Sequence, residues 1–211
     1  GPQSWWPAEE SFEVIIGAIL TQSTAWSNVE KAIASLKAAG KLSPEALRCI
    51  PETELAGLIR SSGYYNVKAR KLKAFVKWFG DRYGDSLEKM FSGDSDRLRR
   101  ELLDVYGIGE ETADSIMLYA GNKPVFVIDA YTRRIIDRLK LSPHGSSYND
   151  YQSLFMASLP PDAALFNEYH ALLVKLGKDY CRKQPLCVGC CLNPEIMEIK
   201  SSAFLCEVVH H

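Results

Sequence analysis

Apolar positions recur at helical spacing along almost the whole chain. The segment 12–20 is compact and apolar, with Glu9 and Glu10 near its start. Residues 27–39 place Val29, Ile33 and Leu36 on one face and Lys31 and Lys37 off it, and Gly40 follows as a stop. Ser43-Pro44-Glu45-Ala46 sets a capping serine before a proline at the first helical position. The same pattern predicts helices over 52–60, 67–79, 95–103, 110–119, 130–139, 148–158 and 163–176. Connections are short and carry Gly, Pro, Asn or Ser. Pro124-Val125-Phe126-Val127-Ile128 is the one beta-like run, and it reads equally well as a buried connector. The expected fold class is all-α. No repeat, low-complexity tract or flexible linker separates the chain, so any two domains should pack closely.

Composition narrows the picture. A chain of 211 residues with 46% hydrophobic content can bury one large or two small cores. No apolar run approaches the roughly 20 residues that a membrane span needs. Gly1 opens the chain with neither a charged n-region nor an apolar h-region, so no signal peptide is expected, and the missing initiator Met suggests a trimmed chain. A net charge of −1 counts against nucleic-acid binding. Local patches matter more than the sum, however. Lys68, Arg70, Lys71, Lys73 and Lys77 form one basic group and Lys175, Lys178, Arg182 and Lys183 another. From charge alone both read as solvated helix faces. Cys49 stands alone, whereas Cys181, Cys187, Cys190, Cys191 and Cys206 crowd one end. A secreted disulfide scaffold would be shorter and would spread its cysteines. Clustering points instead to metal or iron–sulfur ligation in a reducing compartment.

The densest chemistry lies between residues 102 and 134. Gly107-Ile108-Gly109 is a turn between two helical segments, and glycine accepts the left-handed conformation such a turn can require. The next helix begins at Glu110 with N–H groups that lack internal partners, and such a start attracts phosphate. Taken alone this is a common connector, and Glu110 with Glu111 would repel an anion there. Asp129 precedes Ala130-Tyr131-Thr132-Arg133-Arg134, which looks like a first helical turn, so its simplest role is an N-cap. Hydrogen bonds from backbone N–H groups favour the ionised carboxylate. That suits a group facing a developing cation better than a general acid.

The order of these features resembles the helix-hairpin-helix, Gly/Pro-rich loop and aspartate signature of the endonuclease III superfamily of DNA glycosylases. Gly107-Ile108-Gly109 matches the hairpin, and Val127-Ile128-Asp129 matches the segment ending in the catalytic aspartate. Leu20-Thr21-Gln22-Ser23-Thr24 is similar to the loop whose glutamine fills the gap left by an extruded nucleotide. Ser62-Gly63-Tyr64-Tyr65-Asn66-Val67-Lys68-Ala69 is similar to the wedge loop and following helix, with Tyr64 as the wedge. The resemblance covers nearly the whole chain. It implies two α-helical domains with the active-site cleft between them, one spanning 21–128 and the other joining 1–20 to 129–211. It also implies a cytoplasmic monomer that acts on double-stranded DNA with a damaged base, with no membrane partner.

Members that also cut the strand carry a lysine one residue into the second hairpin helix, where it forms a Schiff base. This chain has Glu111 there, and the nearest lysine in sequence is Lys123. The expectation is therefore a monofunctional glycosylase. Trp5-Trp6-Pro7 and Trp26 resemble the type III 3-methyladenine DNA glycosylases, which implies a base pocket of Trp6, Pro7, Trp26 and Glu111. A cationic alkylated purine over an indole face gains about 0.5–2 kcal/mol, and it is also a good leaving group. Alternatives are another damaged base, oxidised or mismatched, or a non-catalytic DNA-binding protein in which Asp129 only caps. Tyr131, Lys175 and Lys178 are further candidates without an assigned role. The resemblance also implies a monovalent cation, Na⁺ or K⁺, on the carbonyls of Leu103, Val105 and Ile108. Finally, Cys181-x5-Cys187-x2-Cys190 resembles three ligands of a [4Fe–4S] cluster. The usual fourth position falls on Ile196, which leaves Cys206, or Cys191, as the fourth ligand. Zinc on the same cysteines, or no metal, are the alternatives.

Overall fold

The computed structural model describes Gln3 and residues 10–193. Trp6, Pro7 and Cys206 lie outside the described residues. Eleven α-helices are formed among the described residues: α1 (Ser11–Leu20), α2 (Trp26–Ala38), α3 (Pro44–Cys49), α4 (Glu52–Leu58), α5 (Tyr65–Tyr83), α6 (Leu87–Ser92), α7 (Ser95–Leu103), α8 (Glu110–Ser115), α9 (Ala130–Arg138), α10 (Tyr148–Ser158) and α11 (Ala163–Asp179). No strand is present among the described residues, and 124–128 is an extended, largely buried connector. No described helix is long and apolar enough to cross a membrane.

The ends of these helices follow local chemistry. Ser43 accepts a hydrogen bond from Ala46 N with Pro44 in the first turn. Gly40, at φ 64°, ends α2, and Lys41 N turns back to Leu36 O. Ser147 and Asp150 form a reciprocal capping box at α10. Two features depart from the sequence reading. α6 is a six-residue helix capped by Ser86, too short to show a period. The helix expected over 110–119 is α-helical only to Ser115 and continues as a π turn over Ile116–Ala120, where Gly121 N reaches Ile116 O.

Two apolar clusters fill the interior. The first joins α1 to α8 and ends at Met117 and Val125. The second begins at Leu118 and takes Phe126, Val127 and Ile128 with residues of α9, α10 and α11. Neighbouring residues of the π turn and of the connector thus belong to opposite cores. Phe12, Ile15, Ile16, Ala18, Ile19 and Leu20 of α1 lie in the first cluster. The seam between the clusters runs from the end of α8 through the connector and stops at Asp129.

Candidate active site

The turn between α7 and α8 is closed by Ile108 N donating to Val105 O at 3.1 Å, with both side chains buried. Gly107 has φ 84°, and a Cβ there would lie 2.3 Å from Lys71 Cγ, so only glycine fits. Gly109 precedes α8 in an extended conformation and offers no side-chain cap. The first N–H groups of α8 are thereby left to an external acceptor. The Val105 carbonyl, one of three expected to hold a cation, already accepts the Ile108 N–H and keeps its second lone pair.

Asp129 caps α9 as expected: its Oδ1 accepts from Thr132 N at 2.7 Å. The other oxygen stands 3.7 Å from His170 Nε2, with the Asp129 side chain 13% exposed. His170 Nδ1 shares a hydrogen bond with the Tyr119 hydroxyl. Burial lowers the His170 pKa and the Asp129 charge opposes this, so the ring tends to neutrality. His170 and Tyr119 were missed in the sequence. The available signal was a histidine within the buried face of α11, in line with Phe166, Leu173, Val174 and Gly177.

What aims Asp129 is a polar network beneath the hairpin. Asp114, 0% exposed, receives Arg99 through Nε at 2.7 Å and Nη2 at 3.1 Å. Gln152 Nε2 donates to Asp114 at 2.8 Å and to Phe126 O at 2.7 Å. Tyr148 OH accepts from Ile128 N at 3.1 Å, and burial raises the phenol above its ordinary range. The connector is thus bonded at Phe126 and Ile128, immediately before the carboxylate it presents.

Glu111, one turn before Asp114 on α8, lies in a cleft of about 420 Å³ shared with the hairpin turn, Gln22, Lys71, Thr112 and Tyr148, the last of which also belongs to this network. Its side chain reaches water at the mouth of the cleft, yet much of its surroundings is protein. That desolvation, with the Asp129 charge next, raises its carboxyl to about 7, while Arg133 opposes the shift. The nearest lysine in sequence is not the relevant one: the fold brings Lys71 into the same cleft. Its Nζ donates to Gln22 Oε1, and burial lowers its pKa.

The other expected residues are distributed as follows. Gln22 Nε2 donates to Gly107 O at 3.0 Å and to Thr112 Oγ1 at 2.9 Å, which docks the loop on the hairpin. Tyr64, 74% exposed, sits at a loop tip with φ 45°. Trp26 opens α2, half-buried against the first core, and its Nε1 donates to Glu30. It does not line the Glu111 cleft. Tyr131 packs against Gly177 with Arg134 above its ring, and exposed Lys175 pairs with Asp179. The basic run on α5 is largely used internally, contrary to a solvated face. Lys68 is buried, Lys73 donates to the Arg48 and Ile50 carbonyls, and Lys77 pairs with Asp81.

Cys181, Cys187 and Cys190 line one cavity of about 550 Å³. Arg134 and Arg138 bind this loop to α9, and Arg138 Nη1 donates to Cys181 Sγ at 3.2 Å. The four described cysteines of this end are free thiols. No three His, Cys, Asp or Glu side chains among the described residues are arranged to hold one metal ion.

An all-helical chain with a glycine hairpin and a capping aspartate at the seam of two cores defines the class of helix-hairpin-helix DNA repair proteins. A model of the HhH-GPD superfamily of base excision DNA repair proteins matches residues 16–161, and the chain belongs to that superfamily. It is 45% identical over 192 residues to a Methanocaldococcus jannaschii protein described as a proposed DNA repair glycosylase, covering 90% of this chain and 87% of the relative. It is 30% identical over 189 residues to endonuclease III of Thermotoga maritima, covering 87% and 81%. The crystal structure of Helicobacter pylori 3-methyladenine DNA glycosylase bound to 1,N6-ethenoadenine superposes with a TM-score of 0.70 at 29% identity, covering 82% of this chain and 87% of that one.

Proposed function

We propose that this protein is a monofunctional DNA glycosylase that removes alkylated purines such as 3-methyladenine and leaves the strand uncut. The observation that carries this is Glu111: a carboxyl, beside Asp129, at the position where the resemblance puts the strand-cutting lysine. A carboxylate cannot form an imine. A carboxyl in the cleft with the Asp129 charge close enough to act on it instead favours a base that carries positive charge. The likeness to the H. pylori enzyme supports the same substrate class, while the likeness to endonuclease III supports an oxidised or mismatched base as the second reading.

In the proposed reaction the N–H groups of Gly107 and Gly109, with the first turn of α8, hold a phosphate of double-stranded DNA beside Ile108, whose own N–H closes the turn; a monovalent cation would sit on the Leu103, Val105 and Ile108 carbonyls. Gln22 and Tyr64 occupy the space the extruded nucleotide leaves. The base enters toward Glu111, with Trp6 and Pro7 as its stacking partners. The glycosidic bond lengthens toward an oxocarbenium-like state, which the fixed charge of Asp129 stabilises. Asp129 Oδ2 also orients the attacking water, with His170 behind it. The cationic base leaves without a strong acid.

The domain division at 128/129 and action as a cytoplasmic monomer belong to the same reading. We infer further that Cys181, Cys187 and Cys190, with Cys206, hold a [4Fe–4S] cluster. Thiolate donors suit iron–sulfur chemistry, and three of these cysteines face one cavity. Iron and acid-labile sulfide in the purified protein test this, and their absence refutes it. For the substrate, a panel of damaged duplexes is incubated with the protein and released bases are identified by mass. Free 3-methyladenine or 7-methylguanine is expected, and release only of oxidised or mismatched bases refutes the assignment.

A further inference from the structure

Lys68 is 2% exposed and is the one buried lysine among the described residues. Its Nζ donates to Leu20 O at 2.8 Å and to Ser62 O at 2.6 Å. Leu20 ends α1, so its carbonyl is one of four with no partner inside that helix. Immediately beyond Leu20 is the turn that carries Gln22, and immediately beyond Ser62 is the turn that carries Tyr64. Each turn holds a non-glycine residue in the left-handed region, Ser23 at φ 55° and Tyr64 at φ 45°. Such conformations persist only where the surroundings hold them.

One helical turn along α5, on the same face, Lys71 repeats the arrangement toward the third loop. It grips the Gln22 amide, whose other end rests on Gly107 O and Thr112 Oγ1. Its aliphatic stem packs against Gly107. One stretch of α5 therefore fastens the three loops that the proposed function turns toward DNA.

A buried ammonium is a poor device for stability alone. Burial lowers the Lys68 pKa to about 8, and apolar replacements of buried charges are often neutral or stabilising. No apolar side chain, however, can fix two carbonyls in direction as well as distance. The neutral amine keeps two N–H donors, so both bonds survive deprotonation.

We propose that Lys68 is a positioning residue for base extrusion, setting the spacing between turn 21–23 and turn 63–64 so that Gln22 and Tyr64 enter the duplex together. This rests on the glycosylase reading above. Lys68 touches neither the base nor Asp129. Its loss should therefore slow extrusion and spare the bond-breaking step.

The test compares full-length wild type, Lys68→Met and Lys68→Gln on two duplexes. One carries 7-methylguanine opposite cytosine, and the other carries it opposite an abasic site, where no partner base holds it. Both contain 2-aminopurine beside the lesion to report unstacking. For Lys68→Met, single-turnover release from the paired duplex should fall about tenfold, the equivalent of one hydrogen bond to a charged group. The fluorescence rise on binding the paired duplex should be lost. Release from the unpaired duplex should stay within about twofold of wild type. Lys68→Gln, which retains two N–H donors, should recover part of the loss. An equal loss on both duplexes, or no loss on either, overturns the proposal. If Lys68→Met does not fold, Lys68→Gln decides by the same paired-against-unpaired ratio. If wild type releases no base at all, the glycosylase reading fails, and the fluorescence comparison still decides whether Lys68 governs unstacking.

Discussion

Among the three acidic residues of α8, Glu111 and Asp114 stand one turn apart, and their surroundings differ sharply. Asp114 faces inward and is bound by Arg99 and Gln152. Glu111 faces the cleft, with the Asp129 charge for a neighbour and burial raising its carboxyl to about 7. The first environment spends its polar groups on fixing the connector that presents Asp129. The second leaves negative charge accessible at a cleft mouth, which stability alone would disfavour. The same short helix thus braces the connector through Asp114 and lines the cleft through Glu111. Position on the helix, not residue type, decides which acid does which.

The largest expected effect sharpens the cleft side. Asp129→Asn should keep duplex binding and the fold, because an asparagine still caps α9. Base release should fall by about a hundredfold or more with loss of the fixed charge. Single-turnover release alongside a binding titration checks both, and equal activity would remove Asp129 from the reaction.

The underside is tested by Arg99→Met, which leaves Asp114 buried without its cation. Chemical denaturation should show a loss of about 3 kcal/mol, the low end for a broken buried pair because Arg99 is partly exposed. Adding Asp114→Asn should recover part of that loss. A loss below about 0.5 kcal/mol in the single variant would mean the pair is no support at all.

Glu111→Gln probes the contrast more finely. The folded-state pKa of about 7 stands above the ordinary 4.5, so the stability associated with the protonated group is full below that value and declines as pH rises through about 7. The variant should therefore melt higher than wild type at about pH 8 and the same at about pH 4. In wild type, release of a cationic base should rise as Glu111 ionises through that range, and the variant should flatten this limb. An unchanged pH profile would detach Glu111 from substrate choice.

The smallest effect is expected at Tyr64. Tyr64→Ala removes an exposed ring and should leave the melting temperature unchanged while slowing release from paired duplexes by about threefold to tenfold. A fall in stability would show that the ring is structural.

Much of this was legible in the chain. The hairpin glycines, the Asp129 cap and the Glu111 position are local features, set by neighbours within a few residues, and local chemistry marks them. His170, Tyr119 and Lys71 reach the site only through tertiary packing, and nothing in their flanking residues points to Asp129 or Gln22. The basic run on α5 shows the limit most clearly. In sequence Lys68, Lys71, Lys73 and Lys77 are equivalent charges, but the loops packed over α5 turn three of them into internal donors. The π turn after Ser115 was equally hidden: it lies where successive residues, Met117 and Leu118, pass from one core to the other, which the apolar pattern of the segment does not foretell.

The most direct test of uncut-strand chemistry is borohydride trapping during turnover of a duplex carrying 7-methylguanine. The expected result is free base, an intact strand bearing an abasic site, and no covalent protein–DNA adduct. A trapped adduct would contradict it, and its disappearance in Lys71→Met would identify the cleft lysine as the amine that formed the imine.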